Sequence, residues 1–169
     1  GNGSAATPAT PARRRRKAAA SAPATLTRIP HALPDHGPSI PDAELARFTR
    51  GEHHRVWEIL GAHETVADGA RGVRFAVWAP NAIRVSVIGS FNGWDPDAHV
   101  LTAREAHGVW EGFVPGVERG ALYKFHMNGW RNATGDKCDP VGFFAELRPN
   151  TASVVAPLSG YEWSDAAWM

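Results

Sequence analysis

The chain has 169 residues, of which 43% are hydrophobic, with one cysteine and a formal net charge of +1. This length suits one ordinary domain with short additions, and a single cysteine excludes an internal disulfide bond. Because no apolar run approaches the roughly 18 residues that span a bilayer, and no apolar stretch near the N-terminus marks a secretory signal, we expect a cytoplasmic protein without membrane contact.

Residues 1–38 form a tail rich in Ala, Pro, Ser and Arg, with no acidic residue before Asp35. Such a segment buries too little apolar surface to offset its ordering entropy, so we predict that it is disordered. Residues 1–50 carry 8 basic and 3 acidic side chains, a net charge of +5, whereas residues 51–169 carry 10 and 14, a net charge of −4. The basic run Arg13–Lys17 is interpreted as a solvated tail, with nucleic-acid contact or an organelle transit peptide as alternatives.

A short helical lead-in is predicted over residues 39–62. Pro41 opens a helix, because the residues Asp42–Phe48 are good helix formers with apolar side chains at i, i+3 spacing. A second short helix is predicted over Glu52–Leu60, with Gly61 as its C-cap.

The pattern then changes to short strands over residues 63–157. The predicted strands are Val73–Trp78, Ile83–Ile88, His99–Thr102, Val109–Val114, Ala121–Met127 and Thr151–Ala156. Turn signals separate them at Asp68-Gly69, Asn92-Gly93, Pro115-Gly116 and Asn128-Gly129. Strands at this spacing without intervening helices indicate an all-β fold, an immunoglobulin-like antiparallel β-sandwich. Trp57, Trp78 and Trp110 lie inside predicted elements, where packing in or beside the core is expected.

The segment Arg84–Asp95 is the most informative part of the sequence. An alternating strand runs into the turn Asn92-Gly93, and Trp94 follows at once. A flat indole in this position can stack on the apolar face of a sugar ring, and the same Asn-Gly-Trp string recurs at Trp130. We therefore expect both tryptophans to bind sugar, with packing as the alternative, and Lys124 to hydrogen-bond to sugar hydroxyls.

No motif for catalysis occurs in the sequence, because GxSxG, Walker, GxGxxG and HExxH strings are all absent. His53 and His54 would point about 100° apart on a helix, so we expect them to face solvent instead of binding a metal. Asp95 and Asp97 flank Pro96 and are interpreted as turn residues. The expectation is therefore a chain without catalytic residues, metal or cofactor.

Longer strings of the sequence carry a family resemblance. FAVWAPNAIRVSVIGSFNGWD, GVWEGFVPGVERGALYKF and DPVGFFAELRPNTASVV resemble the N-terminal glycan-binding module, carbohydrate-binding family 48, of glycogen branching enzymes. LGAH before these strings and YEWSDAAWM after them are also similar, so the resemblance covers about residues 50–169. GSFNGW and YKF belong to such modules in general, whereas LGAH, WAPNA and RPNTAS resemble branching enzymes in particular.

The resemblance implies a glucan site. In the family, sugar is bound by the residues that correspond to Trp94, Lys124 and Trp130, together with a Thr and an Asn of the last strand. Asn150 and Thr151 lie in that vicinity, although their order differs from the family's. The implied partner is α-1,4-glucan or glycogen.

The family's activity moves an α-1,4-glucan segment to form an α-1,6 branch, with a carboxylate nucleophile and an acid/base in a catalytic barrel. We therefore interpret the chain as the non-catalytic, glucan-binding N-terminal module of a 1,4-α-glucan branching enzyme in glycogen biosynthesis. Residues 158–169 are interpreted as the start of a linker to a barrel that this chain lacks, so the chain alone should be inactive. The alternatives are another family 13 enzyme (debranching or trehalose-releasing), a free-standing glycan-binding regulatory protein and a nucleic-acid-binding β-barrel. The acidic charge of residues 51–169 disfavours a nucleic-acid partner.

The tail prediction is tested by limited trypsin digestion followed by mass spectrometry. Cleavage within Arg13–Lys17 should precede all other cleavage and leave a resistant fragment that begins near residue 40, because proteases cut unfolded segments first. The same digestion in urea is the control. Protection of Arg13–Lys17 under native conditions only would show that the tail is docked.

Overall fold

The computed structural model describes residue 1, residues 37–129 and residues 133–157. The tail predicted to be disordered and the predicted linker over residues 158–169 therefore fall almost entirely outside the described residues. Among the helices of the described residues, none is both long enough and apolar enough to cross a membrane.

The described residues contain one α-helix and nine strands. In chain order they are α1 (Asp42–Thr49), β1 (Gly61–Ala67), β2 (Ala70–Trp78), β3 (Ala82–Gly89), β4 (Thr102–Arg104), β5 (Val109–Pro115), β6 (Leu122–Gly129), β7 (Thr134–Lys137), β8 (Phe144–Ala145) and β9 (Ser153–Val154). One sheet has the strand order β1-β2-β5-β4, the other has β3-β6-β9-β8, and β7 pairs with β6. Every strand pairing is antiparallel, which confirms the predicted all-β sandwich.

The core lies between the two sheets. Its buried members alternate along each strand, because successive side chains of a strand point to opposite faces. They include Val73, Phe75 and Val77 of β2, Val85 and Val87 of β3, and Tyr123 and Phe125 of β6. The ring of Phe75 lies at the centre, 5.0 Å from the ring of Tyr123 and 5.8 Å from that of Phe91 between centroids. These contacts join both sheets to the loop that follows β3.

The lead-in is only partly helical. Helix α1 confirms the first predicted helix, but over Glu52–Leu60 the structure has only a three-residue 3-10 turn, Val56–Glu58. Ile59 and Leu60 are adjacent and both buried, whereas a helix would turn them about 100° apart. Gly61 is not a C-cap but the first residue of β1, where its φ of 96° turns the chain into the sheet.

A second hydrophobic cluster explains this course of the chain. Apolar side chains of the lead-in cover the outer face of the β1-β2-β5-β4 sheet, where they meet Ala76 of β2 and Val109 of β5. The lead-in members are Ile40, Leu45, Ile59 and Leu60. A buried carboxylate holds the start of the lead-in, since Glu111 accepts hydrogen bonds from Ile40 N at 2.8 Å and from Ser39 Oγ at 2.9 Å. Arg104 pairs with the same carboxylate.

Several strand boundaries differ from those expected, and β1, β7 and β8 lie where no strand was predicted. Asn128-Gly129 is not a turn but the end of β6, where Asn128 pairs with both Arg84 and Thr134. The predicted strand His99–Thr102 is reduced to an isolated bridge between Val100 and Ser86, with β4 beginning at Thr102. The last strand is shorter than Thr151–Ala156 and comprises β9 alone. In each case the extent of the strand depends on its pairing with a neighbouring strand. The sequence of the segment itself does not indicate this pairing.

Trp78 does not pack in the core as expected. Its side chain points to the outer face at the end of β2, is 55% exposed, and meets the ring of Phe48 edge-on at 6.3 Å between centroids. Trp57 and Trp110 are half-buried, and the indole of Trp110 donates to Ala79 O at 3.1 Å. Trp78 lies outside the core because its parity along β2 is opposite to that of Phe75.

Two substitutions in β2 test this arrangement. Phe75→Ala should lower the free energy of unfolding by about 3–5 kcal/mol, because it opens a cavity between the sheets. Trp78→Ala should cost on the order of 1 kcal/mol, because much of its surface stays in water in the folded state. Urea unfolding of both variants measures the two losses, and equal losses would contradict the placement of Trp78.

Candidate functional site

The loop after β3 is built around the side chain of Asn92. Its Oδ1 accepts a hydrogen bond from Gly89 N at 2.9 Å, and its Nδ2 donates to Val87 O at 3.0 Å. The main chain adds two bonds, because Asn92 N and Trp94 N both donate to Gly89 O, at 3.2 and 3.0 Å. The carboxamide thus bonds main-chain groups at the end of β3, as a neighbouring strand would. These bonds hold the loop against the end of β3.

Two backbone features place Trp94 at the surface. Gly93 and Trp94 both have positive φ, 64° and 63°, so Trp94 adopts the left-handed conformation that costs a non-glycine residue roughly 1–2 kcal/mol. A Cβ at Gly89 would overlap with Leu122 O, so only glycine allows the loop to start this close to β6. Phe91 turns inward against the core, whereas the indole of Trp94 is 40% exposed.

A depression of about 480 Å³ collects four of the five predicted site residues. Its lining includes Trp94, Lys124, Asn150 and Thr151, together with Glu146, Pro149 and Ala152. Lys124 points outward from β6 between the buried Tyr123 and Phe125, as the alternation predicts. The fifth residue, Trp130, lies outside the described residues.

Glu146 is the charged lining residue that the sequence did not predict. It begins a loop over residues 146–152, and its carboxylate accepts hydrogen bonds from Ala152 N at 3.1 Å and from Asn150 Nδ2 at 3.4 Å. Glu146 N donates to Ala152 O at 3.0 Å, which closes the loop at its base. No local signal marks Glu146 in the sequence, because its partner Ala152 N lies six residues further along and is brought back only by the closure of the loop.

A buried polar cluster ties β6 to β9, the strand that follows the loop of Glu146. The hydroxyl of Tyr123 donates to Asp139 Oδ2 at 2.5 Å, and Val141 N donates to Asp139 Oδ1 at 2.9 Å. Asp139 N donates to Ser153 Oγ at 2.9 Å, which ties β9 to the same residue. Burial raises the pKa of the Asp139 carboxyl above its ordinary value of 3.8, although the hydrogen bonds from Tyr123 and Val141 act in the opposite direction. Burial also raises the pKa of the Tyr123 hydroxyl.

The other candidate groups do not form a site. His53 is buried rather than exposed, with its Nε2 3.1 Å from Glu44 Oε2, because the chain around it is not helical and folds back on α1. Asp97 N donates to Asp95 Oδ1 at 2.8 Å, as expected of turn residues. Among the described residues, no three His, Cys, Asp or Glu side chains are grouped as metal ligands would be.

Comparison with known proteins assigns this sandwich to a family. Residues 59–142 match the family model of carbohydrate-binding module 48, the isoamylase N-terminal domain. This part of the chain belongs to the carbohydrate-binding module 48 family. The match contains Trp94 and Lys124 and ends before the loop of Glu146.

Relatives of the module include 1,4-alpha-glucan branching enzymes GlgB. The protein from Thermosynechococcus vestitus is 48% identical over 132 residues, which cover 78% of this chain and 17% of the relative. The protein from Methylococcus capsulatus is 47% identical over 133 residues, which cover 78% of this chain and 18% of the relative. The chain thus spans less than a fifth of the length of these relatives.

One solved structure that matches part of this chain is ligand-free PulA from Klebsiella pneumoniae. It is 23% identical, with a TM-score of 0.48, and the match covers 69% of this chain and 11% of that chain. The assignment of the module rests on the sequence matches.

The raised pKa of Asp139 predicts how stability depends on pH. A carboxyl group with a higher pKa in the folded state stabilises the fold below its ordinary pKa, and this contribution is lost as the pH rises through the raised value. Relative to Asp139→Asn, the native chain should therefore lose free energy of unfolding as the pH rises above the ordinary carboxyl pKa of 3.8. Urea titrations of both proteins at a series of pH values above that pKa measure the difference. A difference that is constant or grows with pH would contradict the raised pKa.

Proposed function

We propose that the depression around Trp94 binds α-1,4-glucan. The observation that supports this most is the convergence of an exposed indole, an ammonium, an amide and a hydroxyl in one depression. Two loops and a strand that are separate in sequence contribute these groups, namely Trp94, Lys124, Asn150 and Thr151.

The chemistry of the lining suits a sugar polymer. A glucose ring has an apolar face, which an indole can cover, and a rim of hydroxyls, which both donate and accept hydrogen bonds. Lys124 supplies donors only, whereas Asn150 and Thr151 supply donors and acceptors. Because Pro149, Asn150 and Thr151 are exposed, the depression opens to solvent, as an extended chain of sugars requires.

We further propose that the module is the N-terminal part of a cytoplasmic 1,4-α-glucan branching enzyme of glycogen biosynthesis. The support is the similarity to GlgB proteins, of which the chain matches about a sixth. In this proposal the catalytic carboxylates belong to a family 13 barrel, and the module holds glucan for branch formation there. The barrel is then an intramolecular partner of the module.

A second function, bracing another domain, is favoured by two apolar side chains that flank Glu146 in the sequence. Phe144 of β8 is 67% exposed and Leu147 of the following loop is 91% exposed. Exposed apolar side chains that lie close together are typical of a contact with another surface. A brace requires no contribution from Trp94 to sugar binding, so the two functions differ in a measurable way.

The binding proposal is tested with Trp94→Ala. Loss of the stacking surface should weaken binding to maltoheptaose by about 1–3 kcal/mol, or about 5- to 140-fold, the range for a planar ring on an aromatic side chain. Isothermal titration calorimetry measures the affinity, and thermal unfolding of the same samples shows whether the fold is kept. The sequence predicts the same result for Trp130→Ala.

Trp78→Ala is the matched control, because it removes another exposed indole from a different surface of the module. Its affinity for maltoheptaose should equal that of the native chain. Were Trp94→Ala to bind as tightly as Trp78→Ala, the depression would not be the glucan site and the bracing function would be favoured.

A further inference from the structure

We propose that Glu146 is a positioning residue of the glucan site, which sets the hydrogen-bonding atom that Asn150 presents to the sugar. The proposal rests on the proposed function of the depression, because it assigns a role within that same site. Glu146 acts through Asn150 and need not touch the sugar.

Both oxygens of the Glu146 carboxylate have hydrogen-bond partners within its own loop. Oε2 accepts from Ala152 N at 3.1 Å, and Oε1 accepts from Asn150 Nδ2 at 3.4 Å. Both partners are donors, and a carboxylate accepts from two donors at once, whereas a carboxamide has only one oxygen. A glutamine of the same shape would keep an oxygen for Ala152 N but would present NH₂ to Asn150, so it could keep the second contact only if the Asn150 amide turned over.

The contact with Glu146 fixes the orientation of the Asn150 amide. Because only its Nδ2 can donate to a carboxylate, Glu146 orients the amide and leaves Oδ1 as its remaining acceptor. Asn150 is exposed and lines the depression beside Lys124, whose ammonium only donates. Lys124 thus offers donors and Asn150 offers its Oδ1 as an acceptor, which matches two neighbouring sugar hydroxyls when one accepts and the other donates.

Reversing the polarity of this contact provides the test. In Glu146→Gln the new amide can donate to Asn150 Oδ1, which would turn the Asn150 amide so that it presents NH₂ in place of oxygen. The dissociation constant for maltoheptaose should rise about 2- to 10-fold, as expected for one net hydrogen bond. Asn150→Asp should also weaken binding, because two carboxylates then face each other and repel.

The double variant Glu146→Gln/Asn150→Asp restores a complementary pair. The introduced carboxamide would donate to one oxygen of the introduced carboxylate, and the other oxygen would again be an acceptor for sugar. We expect its affinity to return to within about 2-fold of the native chain, with each single variant weaker. Glu118→Gln, the same change at an exposed glutamate outside the depression, should bind like the native chain.

Calorimetry gives the affinities of all variants, and thermal unfolding gives their stability, in the full 169-residue chain. Recovery of affinity in the double variant supports the positioning role. If Glu146→Gln binds normally, or if affinity and melting temperature fall together in both single variants without recovery, the role is overturned. Should Glu146→Gln fail to fold, normal binding by Asn150→Asp would overturn it as well.

Trp94→Ala, measured in parallel, separates this inference from the proposed function. If Trp94→Ala loses affinity while the Glu146 and Asn150 variants keep it, the depression binds glucan and only the role of Glu146 is wrong. If the native chain and Trp94→Ala show the same affinity, the proposed site itself fails and the role of Glu146 fails with it.

Discussion

The contact of three aromatic rings in the core determines where the candidate site lies on the surface of this module. Phe75 belongs to one sheet, Tyr123 to the other, and Phe91 to the loop after β3, so a single cluster fixes the spacing of the sheets and the seat of the loop. The loop can reach the cluster only because Gly89 has no side chain at its crossing with β6. Since Phe91 is held inside, Trp94, three residues later, is held outside. The core and the candidate site are therefore parts of one packing arrangement.

The opposite side of the site depends on carboxylates instead of rings. β8 and β9 have only two residues each, so their ladders leave main-chain N–H groups nearby that need other partners. Asp139 accepts from Val141 N, and Glu146 accepts from Ala152 N. A carboxylate that accepts a hydrogen bond from a main-chain N–H thus occurs twice, at positions 139 and 146. The first is buried and the second lies at the surface. The buried carboxylate joins the strands, whereas the surface one shapes the loop that faces Trp94.

The sequence predicted the parts of the fold in which local pattern and tertiary pairing agree. The core-facing residues of β2, β3 and β6 alternate along each strand, as the sequence predicted, because every second side chain of these strands points between the two sheets. The polar strand β7, Thr134–Lys137, has no such pattern, and it is a strand only because the edge of β6 offers partners. The prediction of a second helix was wrong because tertiary packing decides the conformation there as well. Its apolar residues Ile59 and Leu60 both pack on the outer face of a sheet, whereas a helix would turn them about 100° apart.

The candidate site also contains residues that the sequence predicts and one that it does not. Trp94 and Lys124 could be predicted from a strand, a turn and an alternation, and the structure brings them together in one depression. Asn150 and Thr151 came from a family resemblance, and their role in binding stays a prediction. Glu146 could not be distinguished in the sequence from an ordinary surface glutamate, because its importance arises from a loop closure that only the folded chain displays.

The left-handed backbone of Trp94 places the stability of the fold in conflict with the sugar binding that we propose for this residue. Glycine would relax the backbone there, and asparagine tolerates it well, so selection for a stable fold alone favours losing the tryptophan. The proposed stacking of sugar on the exposed ring would oppose this tendency. In descendants of this protein for which sugar binding at this surface has no value, we expect position 94 to drift toward glycine or asparagine. Phe91 and Asn92, which hold the loop, would be retained in either case.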